Sequence, residues 1–250
     1  NDRMVAILTN PLMLCGARLV FFSAIAAAFF GAYAGDILFS LYALGIILAF
    51  AVAIILRKTF FRGRVSPFVL ELPAYQKPSF KVAAIRMWDR GSMYLRKALG
   101  VILIGLLIIG VLTATDAETF TFTTDPGRSL VAALGRSLAP IFTPLNWDWR
   151  LIVAMVFGFV AKEIVLGASA MLYGAGEEEV ASKLASLYNP VDMYGYLTFI
   201  LIYIPCIVTI AAIKQETGSW KWTIFAVVYG LILAYFVNLV VVTLGHLLLG

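Results

Sequence analysis

Long stretches of apolar residues, separated by short polar or proline-containing segments, dominate the chain. The stretches approach the roughly 20 residues that a helix needs to cross the hydrocarbon core of a bilayer. They lie at residues 19–35, 37–56, 98–114, 151–173, 196–213 and 223–248. Since lipid offers no partner to backbone polar groups, each stretch is predicted to be helical. The pattern predicts an all-α integral membrane protein with about six transmembrane or partly spanning helices.

The composition excludes a soluble domain. Of the 250 residues, 62% are hydrophobic and only 13% are charged, and the mean hydropathy is +0.95. A soluble protein of this size would need a charged surface. The chain also begins at Asn1 without an initiator methionine, which suggests a fragment of a longer protein.

Charge is distributed unevenly between the connections. Residues 57–97 carry ten basic side chains against two acidic ones, whereas residues 115–150 carry three basic and four acidic ones. By the positive-inside rule, the first connection is predicted to be cytoplasmic and the second external. Strict alternation then places Asn1 and Gly250 inside. Because the basic residues flank membrane spans, they indicate contact with anionic lipid and not with nucleic acid.

A proline and a cysteine occur at related positions beside or within two apolar stretches. Pro11 and Cys15 lie just before the first stretch, and Pro205 directly precedes Cys206 within the fifth. Arg18 and Thr209 each follow three residues after a cysteine. Two interrupted helices in corresponding positions are typical of the repeats of membrane transporters, where they mark the substrate site.

The second proline has a specific consequence for the backbone. Pro205 has no N–H, so the carbonyl of Leu201 loses its helical partner in the middle of a span. That carbonyl needs another donor or a cation, and Pro11 is expected to act likewise on the first helix. Alternatively, the proline produces only a kink, satisfied by neighbours such as Tyr203 or Thr209.

Ionisable residues inside the apolar stretches are further candidates for the transport path. Lys162 and Glu163 lie near the centre of the fourth stretch, where neither can neutralise its neighbour across the helix. A structural ion pair of Lys162 with another helix is the alternative. His246, near the predicted inner end of the last helix, is interpreted as an interfacial residue. Cys15 and Cys206 do not have the spacing of a disulfide framework, which leaves two interpretations open, inert buried thiols or ligands.

The pattern divides the chain into four predicted parts. They are a first gate-like repeat (residues 1–57), a basic cytoplasmic loop with an interfacial helix (58–97), central spans with an outer re-entrant segment ending at Ala139–Pro140 (98–173), and a second gate-like repeat (174–250). The sequence lacks the GxxxxGK[ST], HExxH and GxSxG motifs, so no enzymatic activity of those kinds is predicted for this segment.

Six motifs in order resemble the membrane part of the FeoB family of prokaryotic ferrous iron transporters. They are NPLMLCGARL, FVLELPAY, WDRGSMYLRKAL, SLAPIFTPLNWDWR, GFVAKEIVLG and YIPCIVTIAAIKQETGSWKW. The resemblance covers essentially the whole chain. It departs at Val20 and at Ala74, where the family often has proline.

The resemblance implies a permease core for Fe²⁺ in the cytoplasmic (inner) membrane. It further implies two copies of a gate unit, a preceding G domain that binds and hydrolyses GTP with Mg²⁺, small cytoplasmic Feo accessory proteins and a homo-oligomer as candidate partners. The family's proposed iron path matches Cys15, Cys206 and Glu163. A sulfur and oxygen donor set suits Fe²⁺ but excludes neither Mn²⁺ nor Zn²⁺. Arg18 is unexpected beside a cation site, and we expect it to reach the inner surface or to hold a carboxylate.

Two other functions remain open on the sequence. One is a gate-type permease for a small organic solute such as a nucleoside, with the half-helix N-termini binding an anion. The other is a membrane scaffold or sensor in which the Pro-Cys sites only assist packing.

Overall fold

The described part of the chain consists almost entirely of helices. A computed structural model describes residues 2–61, 79–117, 119, 121–122, 126–160, 162, 164–176, 179–203 and 205–249. The helices are α1 (Asp2–Thr9), α2 (Gly16–Phe30), α3 (Ala34–Thr59), α4 (Phe80–Ala114), α5 (Leu130–Phe142), α6 (Trp149–Val160), α7 (Ile164–Tyr173), α8 (Val180–Leu187), α9 (Pro190–Ile202), α10 (Ile207–Thr217) and α11 (Trp220–Leu249). In these ranges, β structure is confined to isolated bridges. The predicted all-α class is confirmed.

Three segments of the described residues are long and apolar enough to cross a bilayer. They are Arg18–Thr59, Pro190–Thr217 and Trp220–Leu248, accompanied by shorter apolar helices at Leu130–Leu145, Trp149–Val160 and Ile164–Tyr173. The first segment contains α2 and α3, which pack against each other after a turn at Gly31. The turn requires glycine because φ at this residue is +50°. The membrane class predicted from the apolar stretches is thereby confirmed.

The fourth apolar stretch is a hairpin and does not form the single span that the sequence predicted. α6 ends at Val160, and α7 returns along it, so that the hydroxyl of Tyr173 donates to Oδ1 of Asp148 at the start of α6 (2.8 Å). The hydroxyls of Tyr173 and Tyr188 lie 2.7 Å apart, and burial raises the pKa of Tyr188. Gly158 lets the two arms approach, because a Cβ there would lie 2.5 Å from Cγ2 of Val165.

The hairpin bears on the predicted topology. At one end of the bundle, Asp2 pairs with Arg57 (3.9 Å) and Phe60 packs on Trp222 at the start of α11. His246 lies near the other end of that continuous helix, about 36 Å away at 1.5 Å per residue. Asp2 and His246 therefore lie at opposite ends of the bundle. The prediction that Asn1 and Gly250 are both cytoplasmic stays a prediction, and it assumed that the fourth stretch crosses the membrane once.

Two helix boundaries also differ from the sequence prediction. α4 is continuous from Phe80 to Ala114, so the predicted interfacial helix and the third span form one helix. α5 continues through Pro140 to Phe142 instead of ending at Ala139–Pro140. Residues 62–78, which contain the proline-rich part of the predicted cytoplasmic loop, lie outside the described residues.

Buried tyrosines fix the hairpin against α9. The hydroxyl of Tyr196 donates to the carbonyl of Leu151 (3.1 Å), and two turns along α9 the hydroxyl of Tyr203 donates to the carbonyl of Met155 (3.0 Å). Both tyrosines are about 1% exposed. These contacts place the tip of the hairpin, at Lys162, beside the interruption between α9 and α10.

Candidate functional site at the two helix breaks

The predicted helix breaks are present at both positions, and each places its cysteine in the same structural role. After α1 the chain forms a short 3₁₀ turn that includes Pro11, and Cys15 then has an extended backbone directly before α2 (φ −100°, ψ 160°). After α9, Cys206 has an extended ψ of 158° directly before α10. Each cysteine is therefore the N-cap residue of a second half-helix.

Arg18 bridges the two breaks. Its Nη1 donates to the carbonyl of Leu201 at 2.5 Å and to the carbonyl of Pro11 at 3.3 Å. The Leu201 carbonyl is the one that Pro205 leaves without a helical partner. A buried carbonyl without a partner is costly, and a charged donor is among the strongest replacements. The donor that replaces the missing backbone N–H is thus the Arg18 side chain, which comes from the other broken helix.

The position of Arg18 corrects two sequence expectations. Its side chain neither reaches the inner surface nor holds a carboxylate among the described residues, because the residue is 4% exposed and its guanidinium bonds backbone carbonyls. The alternative of a simple kink named Tyr203 and Thr209 as donors to the Leu201 carbonyl. Tyr203 instead bonds α6, and Thr209 lies 3.2 Å from Cys206 Sγ through its hydroxyl.

Lys162 supplies a second buried basic side chain from the tip of the hairpin. It is 3% exposed, and its Nζ lies 3.2 Å from the centroid of the Tyr203 ring. The negative face of an aromatic ring attracts an ammonium group, most strongly where water is excluded. Glu163, the next residue and a predicted metal ligand, lies outside the described residues.

The thiols lie near these two buried basic side chains. Arg18 and Lys162 are each within electrostatic range of both Cys15 and Cys206. Cys15 is exposed and Cys206 is partly buried. The structure thus brings together the predicted residues Pro11, Cys15, Arg18, Lys162, Pro205, Cys206 and Thr209.

The donors gathered at the breaks are sulfur and carbonyl oxygen. Within the described ranges, no three side chains of the His, Cys, Asp and Glu types are grouped closely enough to hold a metal ion. The two thiols and carbonyls such as that of Leu201 are the donors that the described residues offer at the breaks. This combination suits borderline divalent metals better than Mg²⁺ or Ca²⁺.

Sequence reasoning missed two features. It did not assign Tyr203 as the surface on which Lys162 rests, although an aromatic residue two positions before a Pro-Cys break beside a buried lysine is a usable signal. It also passed over Asp192. This acidic residue at the start of an apolar helix is 2% exposed and contacts His246 through Oδ1 at 2.8 Å.

Comparisons with known proteins agree with this architecture. Residues 95–220, slightly more than half of the chain, match the Gate family, described as nucleoside recognition. Residues 38–90 match the family described as ferrous iron transport protein B C terminus. No solved structure matched the chain.

Similar proteins come from both archaea and bacteria. The Fe(2+) transporter FeoB of Methanocaldococcus jannaschii is 44% identical over 99% of this chain and 38% of its own length. FeoB of Staphylococcus aureus is 34% identical over 99% of this chain and 37% of its own length. An Fe(2+) transport protein A/Fe(2+) transporter FeoB fusion protein of Porphyromonas gingivalis is 30% identical over 99% and 35%, respectively.

The chain spans less than two fifths of the length of these relatives. The match nevertheless extends over almost all of the chain, and the two family regions follow one another along it. The chain belongs to the ferrous iron transport protein B family and carries its Gate region.

Proposed function

We propose that this chain is the membrane permease core of a ferrous iron importer. The relatives are named Fe(2+) transporters. The observation that carries the proposal is the assembly of both N-cap cysteines, the Leu201 carbonyl and Arg18 at two facing helix breaks. Interrupted helices with exposed carbonyls are how many transporters hold a cation within the membrane.

In this proposal Arg18 acts as a tethered cation. Its guanidinium bonds the carbonyl that a dehydrating Fe²⁺ would otherwise use. An incoming ion therefore competes with Arg18 for Leu201, and the thiols of Cys15 and Cys206 supply the softer donors that favour Fe²⁺ over Mg²⁺ or Ca²⁺. Withdrawal of Arg18 opens the path, and its return closes the path behind the ion. Glu163 is the proposed acidic member of this path.

The remainder of the longer protein would regulate the core. We propose a G domain N-terminal to this segment that binds GTP with Mg²⁺ and gates the path through the basic residues around 57–97. The permease core lies in the cytoplasmic membrane of a prokaryote, and the end of the helix bundle that carries Arg57 faces the cytoplasm. The fusion of one relative to Fe(2+) transport protein A supports small accessory proteins as partners. A homo-oligomer in contact with membrane lipid completes the proposal.

A second candidate substrate is a small anionic organic solute. Arg18 and Lys162 place two buried basic side chains at the site, and α2 and α10 both begin there. Helix N-termini and cations favour an anion. The description of the Gate family as nucleoside recognition points the same way.

Anaerobic uptake of Fe²⁺ into proteoliposomes tests the proposal. The full-length parent would be compared with its Cys15→Ser/Cys206→Ser variant, and with Ser23→Ala as a matched control at an exposed hydroxyl on α2. We expect uptake by the parent and the control and loss of uptake by the double variant. Equal uptake by all three proteins would contradict the assigned path. Inhibition of uptake by a nucleoside or another organic anion, together with uptake of that solute, would favour the second candidate.

A further inference from the structure

A second polar cluster lies at the end of the bundle opposite Asp2. Asp192, in the first turn of α9, has a side chain that is 3% exposed. Its Oδ1 lies 2.8 Å from Nε2 of His246 on α11, and its Oδ2 accepts a hydrogen bond from Nδ2 of Asn146 at 3.0 Å. The three side chains come from three separate parts of the chain. We call this cluster the distal site.

The three side chains carry groups that can ligate a metal ion. Their two contacts, at 2.8 and 3.0 Å, use different oxygens of the Asp192 carboxylate. The carboxylate and the neutral imidazole are ligands, and half a turn of the Asn146 amide presents its oxygen in place of its nitrogen. The His246 side chain is 42% exposed, so the cluster is open on one side.

Two further polar groups extend from the distal site toward the helix breaks. Asn238 is fully buried two turns before His246 on α11, and a Cβ added to Gly195, one turn after Asp192, would lie 2.4 Å from its Oδ1. Thr198, one turn further along α9, is also fully buried. Neither Asn238 nor the hydroxyl of Thr198 has a hydrogen-bond partner among the described residues.

Buried polar atoms without a hydrogen-bond partner, such as those of Asn238 and Thr198, need an explanation. Burying an amide or hydroxyl without a hydrogen bond costs free energy that apolar side chains of the same size would avoid. Asp192, Gly195 and Thr198 lie on successive turns of α9, and each three-residue step rotates the position around the helix axis by about 60°. Thr198 and Asn238 therefore lie at levels between the distal site and the Leu201 carbonyl that Arg18 holds.

We propose that Asp192, His246 and Asn146 bind a divalent transition-metal cation, which then passes along Asn238 and Thr198 to the helix breaks. The route rests on the proposed function of the chain. Imidazole, carboxylate and amide ligands suit Fe²⁺, Mn²⁺ and Zn²⁺, whereas a histidine ligand disfavours Mg²⁺ and Ca²⁺. The competing explanation is a structural ion pair that ties α11 to α9 and binds no metal.

Anaerobic equilibrium binding of Fe²⁺ to the full-length parent in lipid nanodiscs tests the distal site. The measurements use a Cys15→Ser/Cys206→Ser background, which removes the thiols at the breaks, and they omit GTP and Mg²⁺. We expect Asp192→Asn and His246→Gln each to weaken one binding event on the order of tenfold or more, the size of effect seen when metal sites are altered. Asn146→Asp, which adds a carboxylate of the same shape, is expected to strengthen the same event.

Matched controls separate metal binding from packing. Tyr194→Phe removes a hydroxyl that lies 3.0 Å from Ser40 Oγ at the same end of the bundle, and Fe²⁺ affinity is expected to stay unchanged. If Asp192→Asn lowers the unfolding temperature, Asn146→Asp still tests the site in a folded protein. Unchanged Fe²⁺ affinity in Asp192→Asn, His246→Gln and Asn146→Asp would overturn the proposal and leave the ion pair as structural.

The readout also separates this inference from the proposed function, because it measures binding without transport. Binding that these substitutions alter, in a protein that moves no iron into proteoliposomes, would establish the distal site and contradict the importer. Iron transport with no binding that depends on Asp192 would overturn the distal site alone.

Discussion

The guanidinium of Arg18 donates a hydrogen bond to the carbonyl of Leu201, 183 residues further along the chain, at 2.5 Å. The contact joins the second half of one broken helix to the first half of the other. It supplies the donor that Pro205 cannot provide. The two helix breaks are therefore one unit, and a substitution at either break is expected to change the stability of the other.

Pro205→Ala tests this coupling. If α9 continues, the amide of an alanine at position 205 can donate to the Leu201 carbonyl. The hydrogen bond from Arg18 then contributes less to stability. We expect Arg18→Gln alone to destabilise the protein by about 2 kcal/mol, as for loss of a buried charged hydrogen bond, and to cost clearly less in the Pro205→Ala background. Unfolding of all four proteins in nanodiscs measures the coupling free energy. Strictly additive effects would show that the two residues act independently.

Gly158→Ala is expected to disturb the site from the hairpin. A Cβ at this position would lie 2.6 Å from the Tyr203 hydroxyl and 2.5 Å from Val165. Overpacking of this kind costs roughly 1–3 kcal/mol, and the displaced Tyr203 ring would carry Lys162 with it. We expect reduced Fe²⁺ uptake by the full-length protein. The control is Gly91→Ala, where an added Cβ meets no atom within 4 Å, and equal uptake by both variants would contradict this packing.

Two substitutions of Tyr203 separate its hydroxyl from its ring. Tyr203→Phe loses the hydrogen bond to Met155 but keeps the ring beneath Lys162, so we expect a loss of about 1 kcal/mol in unfolding free energy. Tyr203→Leu also loses the ring, and a further loss of about 2 kcal/mol is expected from the desolvated cation–π contact. Thermal unfolding of the two variants compares them. Equal stability of the two variants would show that the contact between Lys162 and the Tyr203 ring does not stabilise the protein.

Vesicle labelling tests the revised topology. In a Cys15→Ser/Cys206→Ser background that lacks other reactive cysteines, Lys58→Cys and Leu247→Cys would be treated with a membrane-impermeant maleimide. Because α11 runs the length of the bundle, we expect the two positions to react from opposite sides of the membrane. Labelling of both from the same side would restore the strict alternation of spans and contradict the hairpin.

The sequence predicted those features that depend on single residues or on long runs. Apolar stretches of span length indicated the helices, and Pro205 identified the carbonyl of Leu201 as needing a new partner. Both conclusions follow from local covalent structure, since proline always lacks a donor. They required no knowledge of neighbouring helices.

What the sequence did not reveal depends on contacts between distant segments. Hydropathy cannot distinguish one span over 151–173 from two short arms, because both are equally apolar, and the close approach of the arms depends on the fit of Gly158 against Val165. The partner of Arg18 lies on another broken helix. Because the neighbouring sequence does not reveal that partner, the Arg18 side chain was predicted to reach the surface. The predicted alternation of spans counted this hairpin as one crossing.

The most direct test of the central claim is whether both thiols bind one metal ion at the helix breaks. Co²⁺ added anaerobically to the full-length parent in nanodiscs would report thiolate ligation through a near-ultraviolet sulfur-to-metal charge-transfer band. We expect a band whose intensity saturates at one ion for the pair, falls in Cys15→Ser and in Cys206→Ser, and disappears in the double variant. A spectrum that is the same in all four proteins would contradict the assignment of Cys15 and Cys206 to the metal path.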